Sequence, residues 1–195
     1  MSGGLILASA SPRRRDLLTQ IGIEPIAILP SDIDETPLEG ELPRRLAGRL
    51  AVEKAQASSA FKDGTNYLLS ADTVVGVGRR ILPKTEAEDE ARLCLELMSG
   101  RTHQVFTGIA VVSPTGGLIS KTVMARVQFK RLTRGDIDWY ISTGEWRGKA
   151  GGYGIQGAAA ALVKSISGSY TAIVGLPLFE TRNMLGGLGY PIVAA

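Results

Sequence analysis

The sequence is poor in the residues that form disulfides and nitrogen- or sulfur-ligated metal sites. Its 195 residues include one cysteine, Cys94, and one histidine, His103. One cysteine excludes an internal disulfide, and one residue of each type cannot assemble a zinc site, so any metal must be bound through oxygen atoms. Cys94 lies in an apolar helical pattern that predicts a buried thiol, and the alternating pattern around His103 predicts a structural residue in a strand.

Long hydrophobic runs are also missing. The longest, such as residues 109–112 and 158–163, are far too short to span a bilayer, and the N-terminal segment lacks the apolar core of a signal peptide. We therefore expect a cytoplasmic protein without a membrane partner. With 44% hydrophobic and 21% charged residues, the chain predicts one globular domain over residues 1–195.

Charge is nearly balanced and widely spread. The 22 lysines and arginines against 19 acidic residues give a formal net charge of +3. This value permits binding of a polyanion but falls short of a nucleic-acid-binding signature, so no nucleic-acid partner is expected. The exception to the even spread is the run Arg13 to Arg15.

These arginines stand where a helix is predicted to begin. A strand-like run at residues 5–8 is followed by Ser11, a typical N-cap, and Pro12, a typical first helical residue. Cations are unfavourable in a first helical turn unless an anion lies nearby, and a helix N-terminus itself attracts anions. The arrangement favours a phosphate-rich ligand, although solvation or neutralisation by nearby acids would also account for it.

The remaining pattern mixes strands and helices. Strands are predicted at 4–8, 24–29, 67–71, 102–113, 118–130 and 162–166, and helices at 12–21, 44–60, after 85 to 100, 133–142 and after 177. Thr85 is expected to cap the third helix, and residues 114–117 to close a hairpin. An acidic, proline-bearing loop covers residues 31–43. The pattern favours a mixed sheet flanked by helices rather than an all-parallel one.

Asp72 is the strongest candidate acid or base. It interrupts an apolar run, where a carboxylate is costly to bury unless it is paired, hydrogen-bonded or bound to a metal. A turn at the end of the strand is the alternative.

Two lysines are further candidates. Lys54, on the apolar stripe of its helix, and Lys84 are each explained as surface side chains. Together with Arg13 and Arg14, however, they would form the cationic clamp that phosphoryl chemistry requires.

The glycine-rich segment at residues 148–157 matches neither common phosphate-binding loop. It contains Gln156, whose amide can both donate to and accept from a nucleobase edge. Lys149 in the same segment is suited equally to phosphate or to solvent.

Taken in order, these segments resemble the Maf family of nucleoside triphosphate pyrophosphatases. The matching motifs are LASASPRR at 7–14, EKA at 53–55, SADTVV at 70–75, KAGGYGIQG at 149–157 and GSYTAIVGLPL at 168–178. The resemblance covers essentially the whole chain. One departure is that Pro83 precedes Lys84 here, whereas the family commonly has Lys-Pro. The family's fold implies an elongated mixed α/β sheet flanked by helices, with two lobes and an active-site cleft.

The resemblance implies hydrolysis between the α and β phosphates, giving a monophosphate and pyrophosphate, with Mg²⁺ or Mn²⁺ as cofactor. The branch with Thr73 and Gln156 prefers dTTP and UTP, whereas the branch acting on methylated GTP carries other residues there. A homodimer is also implied. The residue roles implied are Asp72 as proton acceptor; Ser9, Arg13, Arg14, Lys54 and Lys84 as phosphate ligands; Glu35 with Asp72 at the metal; and Arg13, Thr73 and Gln156 in substrate choice.

A binding protein is the alternative from a different class. The family name derives from filamentation on overexpression, so the chain would then regulate septum formation by gripping a nucleotide, nucleic acid or septation partner without catalysis. A carboxylate among phosphate-binding cations argues against pure binding, because it repels the ligand unless a metal or a water requires it.

Overall fold

The computed structural model describes residues 3–61 and 64–192. Within these ranges the strands are β1 (Leu5–Ala8), β2 (Ala27–Ile28), β3 (Tyr67–Val77), β4 (Arg80–Leu82), β5 (Lys84–Thr85), β6 (Thr102–Val112), β7 (Leu118–Phe129), β8 (Lys149–Ala150) and β9 (Val163–Ser167). The helices are α1 (Pro12–Gln20), α2 (Pro43–Ala57), α3 (Glu88–Met98), α4 (Arg134–Ser142), α5 (Tyr170–Val174) and α6 (Leu178–Gly187), with a 3₁₀ turn at Ala158–Leu162.

The main sheet is mixed, as the sequence predicted. Its order is β2-β1-β3-β6-β7-β9, and β4 pairs with the end of β3. Strands β1, β2 and β3 are parallel to one another, and the remaining pairs are antiparallel. A separate small sheet joins β5 to β8.

Apolar side chains of the central strands point alternately to the two faces of the sheet, and both faces are buried. Leu5 and Leu7 of β1 pack on one face with Leu18 of α1 and Leu185 of α6. Ile6 and Ala8 point to the other face, where α2 covers them with Ala51 and Ala55. Because successive side chains of a strand point in opposite directions, this pattern places helices on both sides.

The long strands continue past the end of β1 into a second core. Val75, Val105 and Val127 of β3, β6 and β7 pack there with α3 and α4, including Leu95 and Tyr140. The two cores form the two predicted lobes of the mixed α/β fold. Among the described residues, no helix combines the length and apolarity required to cross a membrane.

Two predicted strand bounds are wrong, and one helix was not predicted. The strand expected at 24–29 is reduced to β2, because Pro25 and Pro30 bound the segment and proline donates no backbone hydrogen bond. Strand β3 does not end at residue 71 but runs to Val77, because β6 pairs with it along its length. Helix α5 was missed; it is only five residues long.

Thr85 does not cap α3. It lies in β5, is fully buried, and donates a hydrogen bond to the Trp146 carbonyl at 2.8 Å. The helix begins instead after Ala87, where the Glu90 carboxylate accepts from the backbone N–H of Ala87 at 3.4 Å. The side chain that accepts a backbone hydrogen bond at the start of α3 is therefore that of Glu90, in the first turn of the helix, and not that of Thr85.

Candidate active site

Asp72 is placed by the register of the central strands. Ala8, the last residue of β1, pairs with Ser70 of the parallel strand β3. Asp72 lies two residues further along β3, level with the turn between β1 and α1, and it points to the same face as Ser70. That face is covered by α2, since the Ser70 hydroxyl donates to the Ala51 carbonyl at 2.5 Å.

Helix α2 lies very close to the sheet at this point because a glycine faces it. Gly108 of β6 pairs directly with Asp72. A Cβ atom at position 108 would lie 2.0 Å from the Ala47 carbonyl oxygen of α2, a distance no real Cβ adopts. The missing side chain lets α2 approach, and Lys54, one turn beyond Ala51, then reaches Asp72.

The lysines and carboxylates form a chain of ion pairs. Lys54 Nζ lies 2.5 Å from Asp72 Oδ1 and 2.5 Å from Glu35 Oε1. Glu35, in the acidic loop, also pairs with Lys84 of β5. Partial burial raises the pKa of Glu35, but hydrogen bonds from Lys54 and Lys84 outweigh this effect, so its pKa lies below the ordinary value. Glu35 is therefore a carboxylate at neutral pH.

Lys54 is buried, contrary to the exposed position predicted for it. Its side chain lies beneath the acidic loop, whose Ser31 hydroxyl donates to the Lys54 carbonyl at 2.6 Å. The prediction placed Lys54 correctly on the apolar stripe of α2 but did not include the carboxylates that cover it. Two carboxylates on one buried ammonium compensate its desolvation.

Arg14 is held by a fork of hydrogen bonds from its guanidinium group. Nε donates to the Gly175 carbonyl at 2.9 Å, and Nη1 donates to Ser9 Oγ at 2.7 Å. Nη2 makes a longer contact of 3.4 Å with Thr73 Oγ1. Burial lowers the pKa of Arg14 from its ordinary value, and the neighbouring Asp72 opposes this effect. Because a guanidinium group keeps its proton throughout the physiological pH range, Arg14 is a fixed cation in the site.

These side chains line one cavity of about 430 Å³, within the size range of small-molecule sites. Its polar lining includes Ser9, Arg13, Arg14, Glu35, Lys54, Asp72, Thr73, Lys84 and Lys149. The lining comes from β1, α1, the acidic loop, α2, β3, β5, β8 and the loop after α5. The cavity thus lies where the two cores meet.

One predicted site residue lies apart from the rest. Gln156 is exposed and is not part of the cavity lining, although Gly154 and Ile155 beside it are. Its part in substrate choice stays a prediction. Arg15 is exposed, in contrast to Arg13 and Arg14, which line the cavity.

Sequence reasoning missed the Gly175 carbonyl and Tyr153. Gly175 is 161 residues from Arg14 along the chain, and it adopts φ of 137°, a conformation suited to glycine. Tyr153 lines the cavity and contacts buried His103, with 2.8 Å between its hydroxyl oxygen and Nε2. No sequence signal links Gly175 with Arg14 or Tyr153 with His103, because the two residues of each pair belong to different elements of the fold.

His103 and Cys94 have the structural surroundings predicted for them. Burial lowers the pKa of His103 to about 4 and raises the pKa of the Cys94 thiol to about 11. Both groups are therefore neutral at physiological pH. Neither lines the cavity.

The donor set in the cavity suits a hard divalent cation bound together with substrate. Within the described ranges no three His, Cys, Asp or Glu side chains come together as a metal cage. Two carboxylates, those of Glu35 and Asp72, converge on the same ammonium group. Mg²⁺ is commonly held by one or two carboxylates plus substrate phosphates and waters, so these residues fit such an ion.

Comparison with known proteins identifies the family of this chain. A family model described as Maf-like protein matches residues 4–188. The chain belongs to this family. Among its relatives in the Maf family is a Maricaulis maris protein named dTTP/UTP pyrophosphatase, 60% identical over 97% of this chain and 90% of its own length.

Other relatives carry the same name. A Rhodopseudomonas palustris protein is 57% identical over 96% of this chain and 93% of its own length. A Caulobacter vibrioides protein is 55% identical over 95% of this chain and 96% of its own length. The solved structure of a HAM1 protein from Coxiella burnetii shares the fold, with a TM-score of 0.51 at 16% identity over 95% of this chain and 99% of that one.

Proposed function

We propose that this Maf family protein is a nucleoside triphosphate pyrophosphatase that hydrolyses dTTP and UTP to the monophosphate and pyrophosphate. The observation that carries the proposal is a buried carboxylate, Asp72, in a cavity lined by five cationic side chains: Arg13, Arg14, Lys54, Lys84 and Lys149. The name shared by the curated relatives supports dTTP and UTP as the substrates.

The cations are suited to a polyphosphate. Arg13 and Arg14 lie at the start of α1, where backbone N–H groups and the helix dipole add to their charge. Lys84 and Lys149 lie on paired strands, with Lys84 opposite Ala150. Burial and the charge of Arg13 both lower the pKa of Lys149 from its ordinary value. A bound anion would relieve this repulsion between cations.

In this proposal Asp72 accepts the proton of the attacking water. Its neighbour Lys54 holds one carboxylate oxygen at 2.5 Å, which fixes the orientation of the carboxylate and leaves the other oxygen to receive the proton. Ser9 and Arg14 form a hydrogen-bonded unit beside the phosphate position and orient the triphosphate.

Glu35 and Asp72 would hold the divalent metal. Bound there, Mg²⁺ or Mn²⁺ supplies neutralisation of phosphate charge and a more acidic water. Both carboxylates contact Lys54 in the structure, so its ammonium group lies beside the position where they would hold the ion.

A nucleotide panel tests the proposal. The wild-type protein is incubated with dTTP, UTP, CTP, GTP and 7-methyl-GTP in Mg²⁺ or Mn²⁺, and the products are separated. We expect monophosphate and pyrophosphate in equal amounts, fastest from dTTP and UTP. Release of inorganic phosphate and a diphosphate would contradict cleavage between α and β, and tight binding without products would identify the non-catalytic regulator instead.

A further inference from the structure

The glycine-rich segment, residues 148–157, forms one wall of the cavity. The residues of this segment that line the cavity are Gly148, Lys149, Ala150, Tyr153, Gly154 and Ile155. Gly151 and Gly152 adopt φ of 66° and 71°, a backbone conformation that favours glycine. Because glycine restricts the chain least, contacts with other parts of the fold must hold this wall in place.

Backbone hydrogen bonds hold the first half of the segment. Gly148 N–H donates to the Thr85 carbonyl at 2.9 Å, and Gly151 N–H donates to the Pro83 carbonyl at 2.8 Å. Between these bonds, β8 pairs with β5. Residues 152–157, by contrast, belong to neither a helix nor a strand in the described structure, and their backbone hydrogen bonds form local turns. The position of this second half therefore depends on side-chain contacts.

Two buried side chains reach the second half of the segment from β6 and α4. The Tyr153 hydroxyl lies 2.8 Å from His103 Nε2, and Gly154 N–H donates to the Tyr140 hydroxyl at 3.3 Å. The rings of His103 and Tyr153 also meet edge to face, with 5.4 Å between their centroids. His103 of β6 and Tyr140 of α4 are fully buried. The segment is thus tied to two elements that carry no group of the ion-pair chain.

Packing alone does not explain a histidine at position 103. Its Nδ1 is buried and, among the described residues, has no hydrogen-bond partner. Such a group costs free energy, so an apolar side chain would be less costly here unless the hydrogen bond of Nε2 is required. Burial lowers the pKa of His103 to about 4 and raises the pKa of Tyr153. Both groups are neutral at physiological pH, so the tyrosine hydroxyl can donate to an unprotonated Nε2.

We propose that His103 is a positioning residue: by holding the Tyr153 hydroxyl, it fixes residues 152–157 as a wall of the nucleotide cavity. The inference rests on the proposed function. Asp72 and Glu35 lie on β3 and in the acidic loop, so the His103–Tyr153 pair acts on nucleotide binding and not on the proton-accepting step. Loss of an interaction made equally in the ground and transition states raises KM and leaves kcat nearly unchanged.

The test measures kcat and KM for dTTP in Tyr153→Phe and His103→Leu. Each variant removes one partner of the hydrogen bond. We expect KM to rise about tenfold in both, the equivalent of about 1.4 kcal/mol, while kcat changes by less than about threefold. The double variant is expected to be no worse than either single variant, because the same bond is lost. Unchanged KM in both folded single variants, or a loss confined to kcat, would overturn the proposal.

His103→Gln is the rescue variant. The glutamine amide oxygen can occupy the position of Nε2 and accept the tyrosine hydrogen, so KM is expected to stay within about twofold of wild type.

Tyr67→Phe is the matched control for loss of a buried tyrosine hydroxyl. Tyr67 is also buried, but its hydroxyl donates to the Leu188 carbonyl at 3.2 Å, and it does not line the cavity. The variant is expected to lower thermal stability without changing KM. An equal rise of KM in Tyr67→Phe and Tyr153→Phe would show a general effect of destabilisation and overturn the assignment.

Amide hydrogen exchange separates this inference from the proposed function. In the ligand-free protein, residues 152–157 are expected to exchange about tenfold faster in Tyr153→Phe than in wild type, whereas Tyr67→Phe leaves their exchange unchanged. If the wild type releases pyrophosphate from none of the nucleotides, the proposed function is wrong, and the exchange rates still decide whether His103 holds the segment. Unaltered exchange in both Tyr153→Phe and His103→Leu would overturn the assignment in either case.

Discussion

Lys54 Nζ lies 2.5 Å from Asp72 Oδ1, and both residues are buried, with exposures of 8% and 2%. Because an unpaired charge is expensive to bury, each group compensates the desolvation of the other. The pair also holds the proposed proton acceptor beside the cations of the cavity. Stability and proposed catalysis therefore depend on the same contact.

Removing one member of this pair is expected to cost more than removing both charges. Lys54→Met leaves Asp72 buried without its nearest cation, and we expect the free energy of unfolding at pH 7 to fall by about 3 kcal/mol. The double variant Lys54→Met with Asp72→Asn should recover most of this loss. Urea unfolding of both variants and of Asp72→Asn measures the coupling, and simply additive effects would contradict a close pair.

Gly108→Ala is expected to disturb both packing and activity. The new Cβ would lie 2.0 Å from the Ala47 carbonyl, so α2 must move away from the sheet and carry Lys54 with it. We expect a loss of about 2 kcal/mol or more in the free energy of unfolding and a fall in pyrophosphate release. Gly187→Ala is the control, because a Cβ there meets no atom within 4 Å. Equal stability of the two variants would show that the close approach is unimportant.

The hydrogen-bond fork of Arg14 predicts that lysine cannot replace it. Lysine retains the charge but cannot reproduce the contacts to Gly175, Ser9 and Thr73 together. We expect kcat/KM of Arg14→Lys to fall about a hundredfold, the effect of losing roughly 3 kcal/mol of oriented binding. Arg15→Lys, at an exposed position, should leave kcat/KM close to wild type. A comparable loss in both variants would indicate a general charge effect.

Buried His103 predicts a pH-dependent stability. Its pKa of about 4 in the folded state lies below the ordinary 6.5, so the unfolded chain binds the proton first. The contribution of neutral His103 to the free energy of unfolding is fully present above pH 6.5. It is lost as the pH falls towards 4, by about 3 kcal/mol in all. Urea unfolding of wild type and His103→Gln between pH 4 and 7 isolates this contribution. Parallel curves for the two proteins would contradict it.

Much of the architecture could be predicted because it follows local patterns. Alternating apolar residues mark the long strands, and Pro12 marks the start of α1. Strand β2 is shorter than predicted because Pro25 and Pro30 flank it. The full length of β3 depends on its pairing with β6 and could not be predicted from its own residues. Element ends were therefore less predictable than the elements.

The candidate site was predictable in its residue types but not in its contacts. Arginines at a helix start and a carboxylate in an apolar run are visible as electrostatic anomalies in the sequence. That Glu35 bridges Lys54 and Lys84, or that Arg14 reaches the Gly175 carbonyl, depends on segments distant in the chain. Gly108 illustrates the same limit, since its importance comes from the helix packed above it.

The most direct test of the account is pyrophosphate release by Asp72→Asn. Asparagine keeps the size of the side chain but cannot accept the proton of the attacking water. With dTTP and Mg²⁺ we expect turnover to fall by about a hundredfold or more, while calorimetry shows that nucleotide binding is retained. Near-normal turnover in this variant would contradict the role of Asp72 as proton acceptor.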